Sequence, residues 1–238
     1  MVRGLKKFEL QRRLDDFIGP LLAILFFWKR KRNLPKKIKK ICVVKLSGIG
    51  DAILTLPMIK KLKNSKKKIF VIAAKENFLV YKDQPFIDKV IVFDIKTINP
   101  ANIIKFIKNV RRLDIDIAID TSQTAYFSAI LSYLISKFCI GFYNPKTPAR
   151  NKIYDKIIEQ NPSKHMVFNF LDLINPLGLY YKPEKIHLFK LPFSRRDEKK
   201  VEELIVECEN LVGIHPCSVF SYREWPKENW AKILEYLM

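Results

Sequence analysis

The chain has 238 residues, 48% of them apolar, and a formal net charge of +20. That is enough length and apolar content for one large α/β domain or two small ones, so a disordered or fibrous chain is excluded. Cys42, Cys139, Cys208 and Cys217 lack paired spacing, and His165, His187 and His215 are scattered, which argues against a disulfide framework and against a metal site.

The first forty residues hold 13 Lys/Arg against Glu9, Asp15 and Asp16, half of the chain's net charge. Within them, the apolar run from Phe17 to Trp28 is 12 residues long. As a helix it measures about 18 Å, short of a hydrocarbon core of about 30 Å, so it does not span. Lys29-Arg30-Lys31-Arg32 stands where a secretory signal needs small residues, so no export is read. An apolar helix with Phe26, Phe27 and Trp28 between basic flanks suits an anionic bilayer interface. Residues 1–37 are therefore expected to be a basic amphipathic segment at the inner face of the cytoplasmic membrane, with the charge of residues 1–40 meeting anionic lipid. The plainer alternative is a helix packed on the globular body, started or kinked at Gly19-Pro20. Basic charge also suits nucleic acid or a phosphorylated substrate. Nucleic acid is disfavoured because the basic runs lie beside an apolar helix instead of interleaving with aromatic residues in a groove.

From residue 38 onward, short β-branched runs alternate with longer helix-compatible stretches. Strands are expected at Ile41–Leu46, Lys68–Ala73, Lys89–Phe93, Ile115–Asp120 and Phe138–Phe142. Helices are expected at Asp51–Lys63, Asn77–Lys82, Pro100–Leu113 and Ser122–Lys137, with Pro57 either opening or kinking the first. This alternation predicts a parallel sheet covered by helices on both faces, a Rossmann-like domain over residues 38–180. Asn144–Arg150 reads as a loop, and a helix from Ser163 ends at Gly178. Residues 181–210 read as linker and helix, the helix capped by Ser194 with Asp197. A strand at Leu211–His215, a turn at Pro216-Cys217-Ser218 and a helix near Pro226 open a second Rossmann-like unit, residues 211–238. One strand and two helices do not complete a sheet domain.

Ligands of doubly wound sheets bind beyond the carboxyl ends of the strands. The first strand delivers Ser47-Gly48-Ile49-Gly50-Asp51 there, and two glycines beside a helix start suit an anionic group approaching the backbone. Ile53 breaks the GxGxxG pattern, and Ala73-Ala74-Lys75 ends the second strand without a ribose-binding acid, so a nicotinamide cofactor is disfavoured. Asp51 is either a helix cap or a carboxylate poised to accept a proton. Asp114-Ile115-Asp116 resembles a metal-binding DxD but lies at the wrong edge of the sheet, where solvated charges are expected. Asp120, at the carboxyl end of the fourth strand, is expected to face the cleft and to bond a sugar or orient the glycine loop. In the second unit, Ser218 and the helix-start amides can hold phosphate oxygens, and Arg223 offers a fork of donors. Trp225 is read as core before ligand wall.

Taken in order, these segments resemble the heptosyltransferase family that adds ADP-activated heptose to lipopolysaccharide. Ile41-Cys42-Val43-Val44-Lys45-Leu46-Ser47-Gly48-Ile49-Gly50-Asp51 with Leu54-Thr55-Leu56-Pro57 is similar to its opening motif. Pro85-Phe86-Ile87-Asp88-Lys89-Val90-Ile91, Ile117-Ala118-Ile119-Asp120, Ile140-Gly141-Phe142, His165 with Leu173 and Gly178, and His215-Pro216 with Trp225-Pro226 continue the order. The resemblance implies the GT-B fold of two Rossmann-like domains, this chain carrying the acceptor half and an incomplete donor half. It implies that Asp51 is the general base of an inverting transfer, beside an acceptor-side loop of Ser47, Gly48, Gly50 and Asp120. Ser218 and Arg223 then face the donor diphosphate, and no metal or other cofactor is called for. The implied partners are an ADP-heptose-like donor, a lipid-linked saccharide acceptor and a separate carboxyl-terminal half. The chain departs from the family at Thr121-Ser122-Gln123 after the acid, at Cys217 in a turn where glycine is common, and at Arg223 in place of a lysine. It also stops before the family's acidic-glycine-histidine region. A membrane-associated binding module without turnover is the alternative function.

Overall fold

Strands that are apolar on both sides need cover on both faces. The computed structural model, which describes residues 15–26, 31–94, 99–181, 193–205, 211–218 and 223–237, shows how this chain provides it. Strands β1 (Lys40–Lys45), β2 (Lys68–Ala74), β3 (Lys89–Phe93), β4 (Ile115–Asp120), β5 (Ser136–Phe142) and β6 (Lys156–Ile158) form one sheet in the order β3-β2-β1-β4-β5-β6. Every neighbouring pair is parallel, with Val43 opposite Val71 and Val44 opposite Asp120. The order reverses between β1 and β4, so the turns leaving these two strands flank the switch point of a doubly wound sheet.

Side chains of β1 alternate between two cores. Ile41 and Val43 face α2 (Ile49–Asn64) and α7 (Met166–Asp172), packing with Leu56, Ile59, Leu62 and Phe170. Cys42 and Val44 face α4 (Pro100–Arg111) and α5 (Tyr126–Ile135), packing with Val110, Ala129 and Leu131. Each buried branched side chain contributes about 1.5–3 kcal/mol, which makes this two-sided burial the main stabilising term. Helix α2 continues through Pro57. The proline removes one backbone hydrogen bond, and burial of Leu56, Met58 and Ile59 around it offsets that loss.

Two short helices complete the unit, α3 (Phe78–Tyr81) and α6 (Pro148–Ile153). The latter occupies the second half of the expected loop Asn144–Arg150, with proline at a helix start, where its missing N–H costs nothing. The expected helix up to Gly178 is α7 followed by a turn of 3₁₀ helix at Asn175–Leu177, stopped by Gly178 at φ 74°.

The helix of residues 15–24, here α1, packs beside α5. The α5 amino terminus has no side-chain cap of its own. Asp15 supplies one, its carboxylate accepting the Tyr126 and Phe127 amides at 2.8 Å each. Beyond α1, Arg32 donates to Asp155 through Nε at 2.9 Å and Nη2 at 2.6 Å, and through Nη1 to the Ser136 carbonyl at 2.6 Å. Its guanidinium also covers the Tyr133 ring at 4.0 Å. The described part of this segment is thus packed on the body, and its helix already runs from residue 15, ahead of Gly19-Pro20. Residues 1–14 and 27–30 of the expected membrane segment, and 182–192 and 206–210 of the expected linker, lie outside them.

The chain divides into two compact units, one spanning Leu10–Pro192 and the other containing Phe193–Met238. In the latter, α8 (Arg195–Leu204) opens on a capping box. The Ser194 amide donates to Asp197 at 3.0 Å and the Asp197 amide to Ser194 Oγ at 3.2 Å. Helix α9 spans Lys227–Leu237. The expected strand Leu211–His215 is irregular and mostly exposed. Its β-branched pattern meets no partner strand among the described residues of this unit, and strand propensity without pairing does not hold a strand. Trp225, expected in a core, is about half-exposed and meets Trp230 edge to face at 5.3 Å.

Candidate active site

The turn from β1 into α2 is open. Ser47, Gly48, Ile49 and Gly50 are exposed at the carboxyl edge of the sheet. Gly48 sits at φ 76°, where a side chain would be strained, and a Cβ there would meet Asp51 Oδ2 at 3.4 Å. A Cβ at Gly50 would meet no described atom within 4 Å, so the backbone there can be approached closely. Gly48 is the helix N-cap, which places Asp51 in the first turn and excludes the cap reading of this carboxylate. Asp51 instead turns toward Lys45, with Nζ to Oδ2 at 3.1 Å.

The two partners differ in exposure. Lys45 ends a buried strand, is itself buried, and its ammonium lies 5.7 Å from the Phe170 ring centre. The Asp51 side chain keeps 45% of its surface open. The buried ammonium holds one oxygen of the carboxylate, while the side chain as a whole stays nearly half open to an incoming ligand. A carboxylate so held can take a proton from an incoming hydroxyl. Behind it, the fully buried Asn77 donates from Nδ2 to the Lys45 carbonyl at 3.1 Å, and its Oδ1 has no partner among the described residues.

The turn from β4 into α5 is closed, which corrects the expectation for Asp120. This carboxylate is fully buried and does not face a cleft. Oδ1 accepts the Ser122 amide at 2.9 Å, while Oδ2 accepts Ser128 Oγ at 2.9 Å, Tyr154 Oη at 2.6 Å and Arg150 Nη2 at 3.4 Å. Arg150 also donates to the carbonyls of Ser122 at 2.6 Å, Ala125 at 2.9 Å and Phe142 at 3.1 Å. Asp120 and Arg150 thus tie the ends of β4 and β5 to the start of α5. Burial drives the Tyr154 hydroxyl well above its ordinary pKa, and the neighbouring Asp120 charge adds to it, so it stays a donor. Gly141 exists for this packing, since a Cβ there would lie 2.3 Å from Tyr154 Cζ. Next to Asp120, Thr121 Oγ1 donates to the Val44 carbonyl at 2.8 Å and joins the two turns at the switch point.

Asp116 proves more than a solvated charge. It is buried, accepts the Lys39 and Lys40 amides at 2.8 and 3.0 Å, and pairs with Lys137 at 3.0 Å. Burial pushes its carboxyl up, but those amides and the Lys137 ammonium outweigh it and hold the group below the usual carboxylate range. It pins the entry of β1 to that of β4. Among the described residues, no group of three His, Cys, Asp or Glu is placed to hold a metal ion.

In the other unit, Ser218 and Arg223 are both described, and Arg223 is exposed. The amide of Ser218, the residue expected beside phosphate, donates to Glu224 Oε1 at 3.0 Å. A carboxylate occupies the place foreseen for an anion.

Lys45 and Asn77 were not foreseen as site residues. A lysine ending an otherwise apolar strand, six residues before an acid across a glycine turn, was the available signal for the first. Asn77 had none.

A doubly wound α/β domain with an open glycine turn and an ion-paired carboxylate at its switch point is a Rossmann-like domain of the kind a GT-B architecture contains. The model for glycosyltransferase family 9 (heptosyltransferase) matches residues 103–238, more than half of the chain, and the chain belongs to that family. Its structure is similar to a glycosyl transferase family 9 protein from Veillonella parvula DSM 2008, at 19% identity and TM-score 0.66, covering 86% of this chain and 62% of that one. It is also similar to E. coli ADP-heptose LPS heptosyltransferase II, at 16% and 0.61, covering 83% and 61%. E. coli heptosyltransferase WaaC with ADP matches at 19% and 0.59, covering 83% and 64%. The chain thus spans less than two thirds of the length of these solved structures. No curated protein sequence matches it.

Proposed function

We propose that this chain provides the acceptor side and the general base of an inverting glycosyl transfer, from an ADP-heptose-like nucleotide sugar to a lipid-linked saccharide of lipopolysaccharide type, at the inner face of the cytoplasmic membrane. The observation that carries the reading is the Lys45–Asp51 pair at 3.1 Å on an open glycine turn at the switch point. In this reading the free oxygen of Asp51 takes the acceptor hydroxyl's proton as the oxygen attacks the anomeric carbon and the bond to the diphosphate breaks. Lys45 positions Asp51. Ser47, Gly48 and Gly50 leave room for the acceptor. Ser218 and Arg223 are assigned to the donor diphosphate, which requires Glu224 to leave the Ser218 amide.

The test is transfer from an ADP-activated heptose to a lipid A-linked acceptor, followed by release of ADP and by the anomeric configuration of the product. It is run with the chain alone and with a separately expressed carboxyl-terminal nucleotide-sugar domain. Inverted product is expected, and retention of configuration contradicts the reading. In Asp51→Asn, turnover is expected to fall by about 10²–10⁴-fold while donor binding survives.

A membrane-associated binding module without turnover is the second reading. It is favoured by the carboxylate of Glu224 on the Ser218 amide and by the lack of a strand among the described residues of the second unit. Acceptor binding without ADP release in either arrangement selects it.

A further inference from the structure

Helix α1 is built inside out for a helix on a water-facing surface. Its inner line is small, with Gly19 and Ala23 buried against the body. A Cβ at Gly19 would lie 2.5 Å from Tyr126 Cβ, so only glycine permits this approach to α5. Its outer line is large and apolar: Phe17 is 75% exposed, Leu21 57% and Leu25 75%, with Ile18, Leu22 and Ile24 between them. A surface helix in water puts its large apolar residues inward and polar ones outward. Small residues in the helix contact and large ones outside are the arrangement of helices whose surroundings are lipid.

The helix is also fixed in place. Asp15 caps α5 at one end, and the ring of Phe26 packs edge to face on Tyr133 at 4.9 Å at the other. Past it, Arg32 is bound to the buried Asp155 at 2.6 Å. From that anchor the chain runs along the amino edge of the sheet, where Lys36, Lys37 and Lys39 line a recess of about 700 Å³ with Lys66, Lys67 and Lys68. Of the nearby carboxylates, Asp114 and Asp116 are both paired with Lys137. No helix among the described residues is long and apolar enough to cross a membrane.

We infer that the outer face of α1 and this lysine edge form one rigid docking surface for an anionic lipid bilayer. The helix lies in the membrane plane, with Phe17, Leu21 and Leu25 in the acyl boundary, and the lysines meet the head groups. Charge complementarity selects the occupant, because an apolar strip ending in a dense cationic edge matches the two layers of an anionic membrane. The clamped helix, unlike a tethered anchor, fixes the orientation of the sheet, and with it the β1–α2 turn, relative to the membrane. The inference deepens the location given under the proposed function but does not require the chain to be an active enzyme.

The test is co-sedimentation of the full chain with phosphatidylcholine vesicles, with and without phosphatidylglycerol. Leu21→Asn with Leu25→Asn is expected to weaken binding to both vesicle types by on the order of tenfold or more. Thermal unfolding should stay unchanged, since both side chains point outward. Gln at Lys36, Lys37, Lys66 and Lys67 is expected to erase the preference for anionic vesicles, as high salt should for the unsubstituted chain. Independently, Leu25→Trp should add a blue-shifted emission component on vesicle addition. Unchanged vesicle affinity of the double leucine variant, or no added blue-shifted component in Leu25→Trp, overturns the inference. So does a change of oligomeric state in the double leucine variant without lipid, or tighter salt-dependent binding to duplex DNA than to anionic vesicles. Asp51→Asn should bind vesicles as the unsubstituted chain does. Vesicle binding without sugar transfer would therefore retain this inference while removing the enzymatic one.

Discussion

The two turns that flank the switch point each carry an aspartate, and they are opposites. After β1, Asp51 keeps 45% of its side-chain surface open and has Lys45 as its cationic partner. At the end of β4, Asp120 is closed off, with Ser122, Ser128, Arg150 and Tyr154 all donating to it. Both lie at the same edge of the same sheet. Charge at a switch point is thus not by itself a sign of chemistry. A carboxylate whose acceptor positions are filled holds the fold, and one with an open oxygen beside a fixed cation can act on a ligand.

The substitutions that test this contrast range widely in size. Asp51→Asn is expected to lower sugar transfer by about 10²–10⁴-fold, the usual worth of a general base, with little change in thermal unfolding. Asp120→Ala should do the reverse through stability, costing about 3–5 kcal/mol because Arg150 is left charged and buried. Its signature is a fall in the unfolding temperature, read by calorimetry. Lys45→Met keeps the bulk and removes the charge. It should lower transfer by about tenfold, since Asp51 loses the cation that fixes one of its oxygens. Unchanged transfer would deny Lys45 its positioning role.

Smaller effects probe the scaffold. Gly141→Ala is expected to cost about 1–3 kcal/mol through overpacking against Tyr154, and pairing it with Tyr154→Phe should leave most of that cost in place, because the clash is with the ring. Acidification gives the mildest test. The Asp88 and Asp116 carboxyls are both pushed up by burial but held below the ordinary range, Asp88 by the Ile69 amide and Lys63, Asp116 by the Lys39 and Lys40 amides and Lys137. Folded values that are depressed mean that their stabilisation is complete above about pH 4 and is lost as the pH falls through the lower folded values. Unfolding temperature against pH should flatten over that acid range in Asp116→Asn.

Much of this contrast was legible in the sequence, and the rest was hidden for definite reasons. The runs from Ile41 to Phe142 announced their strands because unbroken β-branched stretches fit a sheet covered on both faces. β6, at Lys156–Ile158, is too short to carry a pattern. Leu211–His215 has the pattern without the pairing. The open turn could be read because glycines and acid are adjacent in the chain. The closed one could not, since the Asp120 partners Arg150 and Tyr154 lie 30 and 34 residues further on and only folding brings them to it. For the amino-terminal helix, sequence offered membrane and body as alternatives. The structure packs its small residues on the body and leaves its large apolar ones exposed.

The most direct test of the account measures two quantities on two variants: sugar transfer and unfolding temperature for Asp51→Asn and Asp120→Asn, with the carboxyl-terminal nucleotide-sugar domain supplied if the chain alone is inactive. The account expects Asp51→Asn to lose turnover at an unchanged unfolding temperature and Asp120→Asn to unfold at a clearly lower one. Full turnover in Asp51→Asn would contradict it.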